Sequence, residues 1–264
     1  MKFNSLLLCS VAACGTLATA AQTKEPRRIL MIGNSLTYTY NVPDELAGIA
    51  KGKGRKLQVD SFVRGGVLLA WHLENDIKGV TARDKILKGK YDCVVAQDGY
   101  NGLFKPDGPE KMELAIEAFS GFAREAGTEL VLYTAFARTQ DQESKRVDDL
   151  VRMYTEQALK HKLRCAPVVL AFQAIRRQNP ELALLDNETG KKYALDKTGT
   201  HQRPYGSYLA ACVIYATLFD ESPEGTKFRQ LSDGTELTEA EALEAQQVAW
   251  KIWQEYKPRL DGAD

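Results

Sequence analysis

The sequence predicts an α/β protein, a three-layer α/β/α sandwich built around a five-stranded parallel sheet. Two observations predict it: short apolar runs recur along the chain, and the intervals between them have helical periodicity. The runs that we assign to strands span residues 28–33, 57–63, 91–96, 129–135 and 164–169. Alternating strands and helices are typical of a parallel sheet with helices on both faces.

Helices are expected in the intervals and after the last strand. Pro43 and Glu45 mark the start of the first helix, because proline and acidic residues are favoured in a first turn. Apolar residues three and four positions apart predict further helices over 112–123, 146–163 and 205–219. The last helix begins with a capping box of Thr238 and Glu241 and is expected to stop before Pro258.

Composition and charge limit the classes of function. The chain has 264 residues, 44% of them hydrophobic, which is enough for one compact domain over residues 22–264. Lys plus Arg and Asp plus Glu number 35 each, so no overall field attracts nucleic acid or an anionic membrane. A small-molecule or neutral polymer partner fits better. No spacing of Cys or His suggests a metal site, and no cofactor is expected; the oligomeric state is left open.

The first residues have the pattern of an export signal. Lys2 precedes an apolar run over 6–13, and small residues follow at 18–21. This pattern predicts a signal peptide over 1–21, and no transmembrane span. An alternative is a lipoprotein signal in which Cys14 is acylated. We therefore expect a secreted or periplasmic protein, with a lipid-anchored form as the alternative.

The remaining cysteines are expected to be structural. Cys93, Cys165 and Cys212 make an odd number, and Cys93 and Cys212 lie in apolar segments. Buried free thiols that act as small hydrophobic side chains explain this pattern best.

One serine lies where enzymes of this architecture place their chemistry. Ser35 directly follows the first strand, at the carboxyl edge of the predicted sheet. A serine nucleophile needs a base, and the chain has only three histidines. His201 lies in a polar loop before an apolar helix, a typical place for a catalytic group. His161 ends a charged helix, where a solvated surface role is expected. His72 follows two glycines near the same sheet edge, and whether it assists or replaces His201 is left open.

These residues occur in a recognisable order. The chain resembles the SGNH (GDSL-type) hydrolase superfamily, in the subgroup whose first block reads Gly-Asn-Ser-x-Thr, because residues 33–37 match that block. Gly65 matches the glycine of the second block. Asn101 matches the asparagine of the third block, although Gly102 stands where that block has Asp. His201 matches the histidine of the last block. The resemblance implies the flavodoxin-like SGNH hydrolase fold.

By this resemblance, Ser35 attacks an acyl carbon and His201 accepts its proton. The oxyanion hole would comprise the Ser35 amide, the Gly65 amide and a third donor, either Asn101 or Gln97. These residue types suit the task, because a glycine lets the backbone approach an oxyanion and a carboxamide donates without titrating.

The acid of the triad departs from the family pattern. The family places it three residues before the histidine, where this chain has Thr198, and the nearest carboxylate is Asp196. Three alternatives remain: an insertion lets Asp196 act, a backbone carbonyl orients His201 in a dyad, or the enzyme is weak or inactive. A carboxylate matters because it fixes the imidazole tautomer and stabilises the imidazolium.

The function that follows is an exported serine esterase that removes a short acyl group, such as acetyl, from a carbohydrate. An alternative is a catalytically inactive SGNH-fold protein that binds glycans. An anion or nucleotide binder on a flavodoxin-like sheet ranks last, because the turn after the first strand has a single glycine.

Overall fold

Five parallel strands form the central sheet of the protein, whose computed structural model describes residues 28–138, 144–180, 182–186 and 201–262. The strand order is β2-β1-β5-β6-β7, and a separate antiparallel hairpin comprises β3 and β4. The strands are β1 (Arg28–Gly33), β2 (Gln58–Val63), β3 (Asp76–Ile77), β4 (Val80–Thr81), β5 (Cys93–Ala96), β6 (Glu129–Tyr133) and β7 (Arg164–Ala166). The predicted five-stranded parallel sheet is therefore confirmed.

Helices fill the intervals between the strands and follow the last one. They are α1 (Ser35–Tyr38), α2 (Val42–Gly52), α3 (Trp71–Glu74), α4 (Ala82–Gly89), α5 (Tyr100–Leu103), α6 (Gly108–Ala126), α7 (Lys145–His161), α8 (Val168–Gln178), α9 (Pro204–Phe219) and α10 (Glu239–Leu260). One group packs around α9, which contacts α2, α8 and α10, and a second group consists of α4, α6 and α7. Right-handed crossovers between parallel strands place the two groups on opposite faces of the sheet, which gives the predicted three layers.

Helix α9 is the most deeply buried helix of the described chain. Its apolar side chains surround the whole circumference, and residues 204–218 are all buried. It is shorter than the roughly 20 residues that a bilayer requires. In the described residues, no helix combines the length and the hydropathy of a membrane span. Cys93, Cys165 and Cys212 are free and buried, as the sequence predicts.

Most predicted boundaries lie within two residues of the observed ones, and two of those that differ by more concern the last strand and the last helix. The last strand ends at Ala166 rather than at residue 169, because α8 begins at Val168. In this first turn of α8, the Val169 amide donates a hydrogen bond of 2.9 Å to the Thr134 hydroxyl. Short apolar runs do not distinguish a strand from a buried helix. Helix α10 continues past Pro258 to Leu260. A proline in the last turn removes only one helical hydrogen bond, near an end that water can reach.

A buried carboxyl group ties α2 to the segment that leads into α10. Glu45 is 1% exposed, and its Oε1 accepts hydrogen bonds of 2.9 Å from both the amide and the hydroxyl of Ser232. Its Oε2 has no hydrogen-bond partner in the described chain. Burial raises the pKa of Glu45 from 4.5 to about 7.

We expect Glu45→Gln to stabilise the protein at alkaline pH. Glutamine retains the acceptor for Ser232 but carries no charge. The raised pKa means that the folded state binds an extra proton between pH 4.5 and about 7, so the wild-type free energy of unfolding falls as pH rises through that window. Between pH 4.5 and 8, the free energy of unfolding of the variant should rise by about 3 kcal/mol relative to that of the wild type.

Urea unfolding at several pH values measures this difference. Glu255→Gln, at an exposed position on α10, is the matched control. A difference between Glu45→Gln and wild type that does not change with pH would contradict the buried charge.

Candidate active site

Ser35 begins α1 immediately after β1. The residue that caps this helix is Asn34, whose Oδ1 accepts a hydrogen bond of 3.0 Å from the Leu36 amide. A capping role therefore does not explain Ser35. Its side chain is half-buried and makes no hydrogen bond to a described residue. The hydroxyl is thus available for chemistry.

The start of α1 is fixed from below by buried polar side chains. The Thr37 hydroxyl, on α1, lies 3.2 Å from Gln97 Oε1, just after β5, and 2.8 Å from the Tyr133 hydroxyl, on β6, so the helix is joined to the ends of two strands. At Gly33, a Cβ atom would lie 2.6 Å from Thr37 Oγ1 and 2.8 Å from Gln97 Oε1. Only glycine fits this position, because any side chain would displace the network that holds the turn.

The loop after β2 places Gly65 beside Ser35. Asn34 connects the two loops by donating a hydrogen bond of 3.0 Å from Nδ2 to the Val67 carbonyl oxygen. Ser35 and Gly65 line one cavity, and within the described chain neither backbone amide has a hydrogen-bond acceptor. Backbone amides are a type of donor that can bind an oxyanion.

The structure separates the two candidates for the third donor. Asn101 lies on α5, is exposed and lines the cavity with Ser35. Gln97 is fully buried and does not line the cavity. Its Oε1 accepts from Thr37 and its Nε2 donates to the Asp98 carbonyl oxygen. The Gln97 carboxamide therefore supports the turn, whereas Asn101 is free to meet a ligand.

His201 lies against a buried carboxylate that the sequence does not reveal. Its Nδ1 is 3.4 Å from Oδ2 of Asp186, and its backbone amide donates to the same oxygen at 3.1 Å. Asp186 is 7% exposed, and the His201 side chain is 24% exposed. Such a pair can fix the tautomer of the imidazole. Asp196 and Thr198 lie outside the described residues.

Two antiparallel segments hold this pair in place. Leu185 and Gln202 form a β-bridge, and the Asp186 amide donates to the His201 carbonyl oxygen at 3.0 Å. The Arg203 guanidinium also donates to the Leu185 carbonyl oxygen at 2.8 Å. The segments 184–186 and 201–203 therefore form a short ladder that places Asp186 beside His201.

Gln202 joins this ladder to α1. Its side chain is fully buried, and Nε2 donates to the carbonyl oxygens of Leu36 at 3.0 Å and Thr39 at 2.7 Å. These are the carbonyl groups that the end of a short helix leaves unpaired. One carboxamide thus couples the segment that carries His201 to the helix that carries Ser35.

The other two histidines lie outside the cavity. His72 is buried and its Nε2 donates to the Gly33 carbonyl oxygen at 2.9 Å; burial lowers the pKa of the ring. It supports the end of β1. The expectation of a solvated His161 is wrong: the side chain is 6% exposed, because α7 packs against α6 there.

Ser35, Gly65, Asn101 and His201 come together around one cavity of about 460 Å³ at the carboxyl edge of the sheet. Within the described chain, no hydrogen bond joins Ser35 to His201. Catalytic hydrogen bonds often tighten only when substrate binds. No group of His, Cys, Asp and Glu in the described residues is arranged to hold a metal. A hydroxyl, an imidazole and two backbone amides thus belong to residues that line a single cavity.

We expect Gln202→Met to slow the reaction of Ser35 with a fluorophosphonate by about 10- to 100-fold. Methionine fills the same volume but cannot hold α1 against the His201 segment, and a displacement of about 1 Å costs reactivity of this order. Labelling rates on folded protein, checked by circular dichroism, measure the effect. Gln247→Met, on the surface of α10, is the matched control. Equal labelling rates in both variants would contradict the positioning role.

Comparison with known proteins identifies similar folds. Searches of protein families and of curated sequences find no match. A candidate SGNH hydrolase from Slackia heliotrinireducens is 25% identical with a TM-score of 0.58, over 73% of this chain and 98% of that one. A DUF4886 family protein from Bacteroides uniformis is 17% identical with a TM-score of 0.61, over 88% and 95%. An acetylxylan esterase from Geobacillus stearothermophilus is 14% identical with a TM-score of 0.54, over 74% and 95%; the last two show the fold alone. The fold and the likeness to the Slackia protein place the chain in the SGNH hydrolase superfamily.

Proposed function

We propose that the protein is an exported serine esterase that hydrolyses a short acyl ester, such as an acetyl group, on a carbohydrate. The observation that carries the proposal is the convergence of Ser35 and His201 on one cavity with the unpaired amides of Ser35 and Gly65. This combination of nucleophile, base and oxyanion donors is the requirement for acyl transfer.

The first half of the reaction forms an acyl-enzyme. Ser35 Oγ attacks the ester carbonyl carbon while His201 Nε2 accepts the hydroxyl proton. The carbonyl oxygen becomes an oxyanion that accepts hydrogen bonds from the Ser35 amide, the Gly65 amide and Asn101. When the intermediate collapses, the bond to the alcohol oxygen breaks and His201 returns the proton to the leaving alcohol.

The second half regenerates Ser35. Water attacks the acyl carbon while His201 accepts a proton, and the tetrahedral intermediate then releases the acid and reprotonates Ser35. In both halves, the Asp186 carboxylate would hold the proton on His201 Nδ1, leaving Nε2 as the base. It would also stabilise the imidazolium that forms in each half.

One exposed aromatic side chain supports a carbohydrate substrate. Tyr38 lines the cavity and is 46% exposed, whereas Tyr100 and Phe136, which also line it, are buried. Exposed aromatic faces bind the apolar faces of sugar rings by packing. The likeness to an acetylxylan esterase is consistent with this substrate class. The signal-like residues 1–21 support export.

We expect the chain to release acetate from para-nitrophenyl acetate and from an acetylated oligosaccharide, and Ser35→Ala to abolish both activities. Loss of the nucleophile removes the acyl-enzyme route. His201→Ala should have the same effect, whereas His72→Ala should retain a measurable fraction, because His72 lies outside the cavity.

A fluorophosphonate should label the wild type but not Ser35→Ala. Unaltered labelling of that variant would refute the nucleophile assignment. A folded wild type that releases no acetate from either substrate would favour a glycan-binding protein on this fold.

A separate comparison identifies the acid. We expect Asp186→Asn to lower kcat by as much as about 10⁴-fold at neutral pH, because asparagine favours the wrong tautomer of His201. Asp196→Asn is the matched variant, since it removes the same charge in the same part of the sequence. Steady-state kinetics on para-nitrophenyl acetate measure both. A larger loss in Asp196→Asn would assign the role to Asp196, and no loss in either would favour a dyad.

A further inference from the structure

Two cationic side chains line the proposed active-site cavity. Lys105 lies between α5 and α6, and Arg138 follows β6. Among the described residues, no Asp or Glu lines the cavity. The cavity therefore has a positive wall, although the whole chain has equal numbers of acidic and basic residues.

Within the described chain, neither cation has an acidic partner. No described carboxylate lies within 4.0 Å of the Lys105 ammonium or of the Arg138 guanidinium. The acid nearest to Lys105 in sequence, Asp107, is paired with Lys111 at 2.6 Å. Other arginines of the chain do have partners, such as Arg28 with Asp60 at 2.9 Å. As far as the described residues are concerned, the two cations in the cavity are therefore available to a ligand.

Arg138 also has a buried donor that no described residue accepts. Its Nε is inaccessible to solvent and has no hydrogen-bond partner in the described chain. A buried donor left unpaired costs free energy, which an acceptor on a bound ligand would recover. A guanidinium offers paired N–H groups that match the oxygens of a carboxylate or a sulfate.

The sheet order separates Arg138 from the proposed backbone donors of the oxyanion hole. Gly65 follows β2, on one side of β1, whereas Asn101 and Lys105 follow β5 and Arg138 follows β6, on the other side. An anion that contacts Arg138 as well as Lys105 would therefore belong to a part of the substrate other than the carbonyl that the Ser35 and Gly65 amides would hold.

We propose that the cavity selects esters whose alcohol portion carries a negative charge, a carboxylate or a sulfate, and that Lys105 and Arg138 bind this charge. The inference rests on the proposed esterase function. The net charge of the chain suggests a neutral polymer as substrate. The cavity instead favours an anionic carbohydrate, such as one that contains uronic acid or sulfated sugars. Net charge averages over the surface, whereas a substrate responds to the local potential of its cavity.

Matched small esters test the proposal directly, because they differ in the charge of the alcohol portion and share the same acetyl group. The neutral ester is methyl para-acetoxybenzoate, and the charged esters are para-acetoxybenzoate and para-acetoxybenzenesulfonate, which distinguish a carboxylate from a sulfate-like group. The quantity measured is the kcat/KM for each charged ester divided by that for the neutral ester.

We expect the Lys105→Gln/Arg138→Gln double variant to lower this ratio by about tenfold or more, because it removes two positive charges that would attract the anion. The control is Arg83→Gln/Lys88→Gln on α4, which removes the same charge outside the cavity and should leave the ratio unchanged. The wild-type ratio should also fall as salt is added. If Ser35-dependent turnover is present but both double variants give the wild-type ratio, the inference is overturned.

Equilibrium binding separates this inference from the proposed function. Calorimetry with oligogalacturonate and with its uncharged methyl ester is performed on the wild type and both double variants. Suppose that turnover does not depend on Ser35, so that the esterase assignment fails. If the wild type and the control variant still bind the charged ligand more tightly than the uncharged one, and Lys105→Gln/Arg138→Gln does not, the cavity is anion-selective and the inference stands. Equal affinity for the two ligands, or no binding of either, would then overturn the inference as well.

Discussion

The hydrogen bonds from Gln202 to the end of α1 are the constraint on which the site depends. They connect the segment before α9 to the first turn after β1, two parts of the chain that are distant in sequence. Because the Gln202 side chain is fully buried, water does not compete for the carbonyl oxygens of Leu36 and Thr39. Helix α1, which begins at Ser35, is therefore held in two ways. Gln97 and Tyr133 contact its Thr37 hydroxyl, and the Gln202 carboxamide binds the carbonyl groups at its end.

Much of the fold and part of the site can be predicted because parallel strands obey a simple geometric rule. Successive strands end at the same edge of the sheet, so residues that follow different strands meet there. Ser35 is identifiable from its place after the first strand, and the resemblance to the SGNH family adds Gly65 and Asn101, which follow the next two strands of the sheet; all three line the cavity with His201. The periodicity of the chain likewise predicts the five strands and the layered helices.

The remaining features depend on contacts that a linear pattern does not encode. Asp186 precedes the polar loop with no local signal of its role, and only its antiparallel pairing with the His201 segment brings the two together. The strand boundary at Ala166 depends on a hydrogen bond from the Val169 amide to Thr134, at the end of another strand. Gln97 directly follows β5, a position where ligand-binding residues often lie. Its side chain is nevertheless buried, and its Oε1 accepts a hydrogen bond from Thr37.

The pairing of segments 184–186 and 201–203 has a consequence for how this architecture can diverge. In a motif with fixed spacing, an insertion between acid and histidine moves one relative to the other. Here the Asp186 and His201 groups face each other across a hydrogen-bonded ladder, so their separation depends on the bridge between Leu185 and Gln202 rather than on the length of chain between them. That intervening chain can therefore lengthen, shorten or acquire a new recognition surface while the imidazole stays beside its carboxylate.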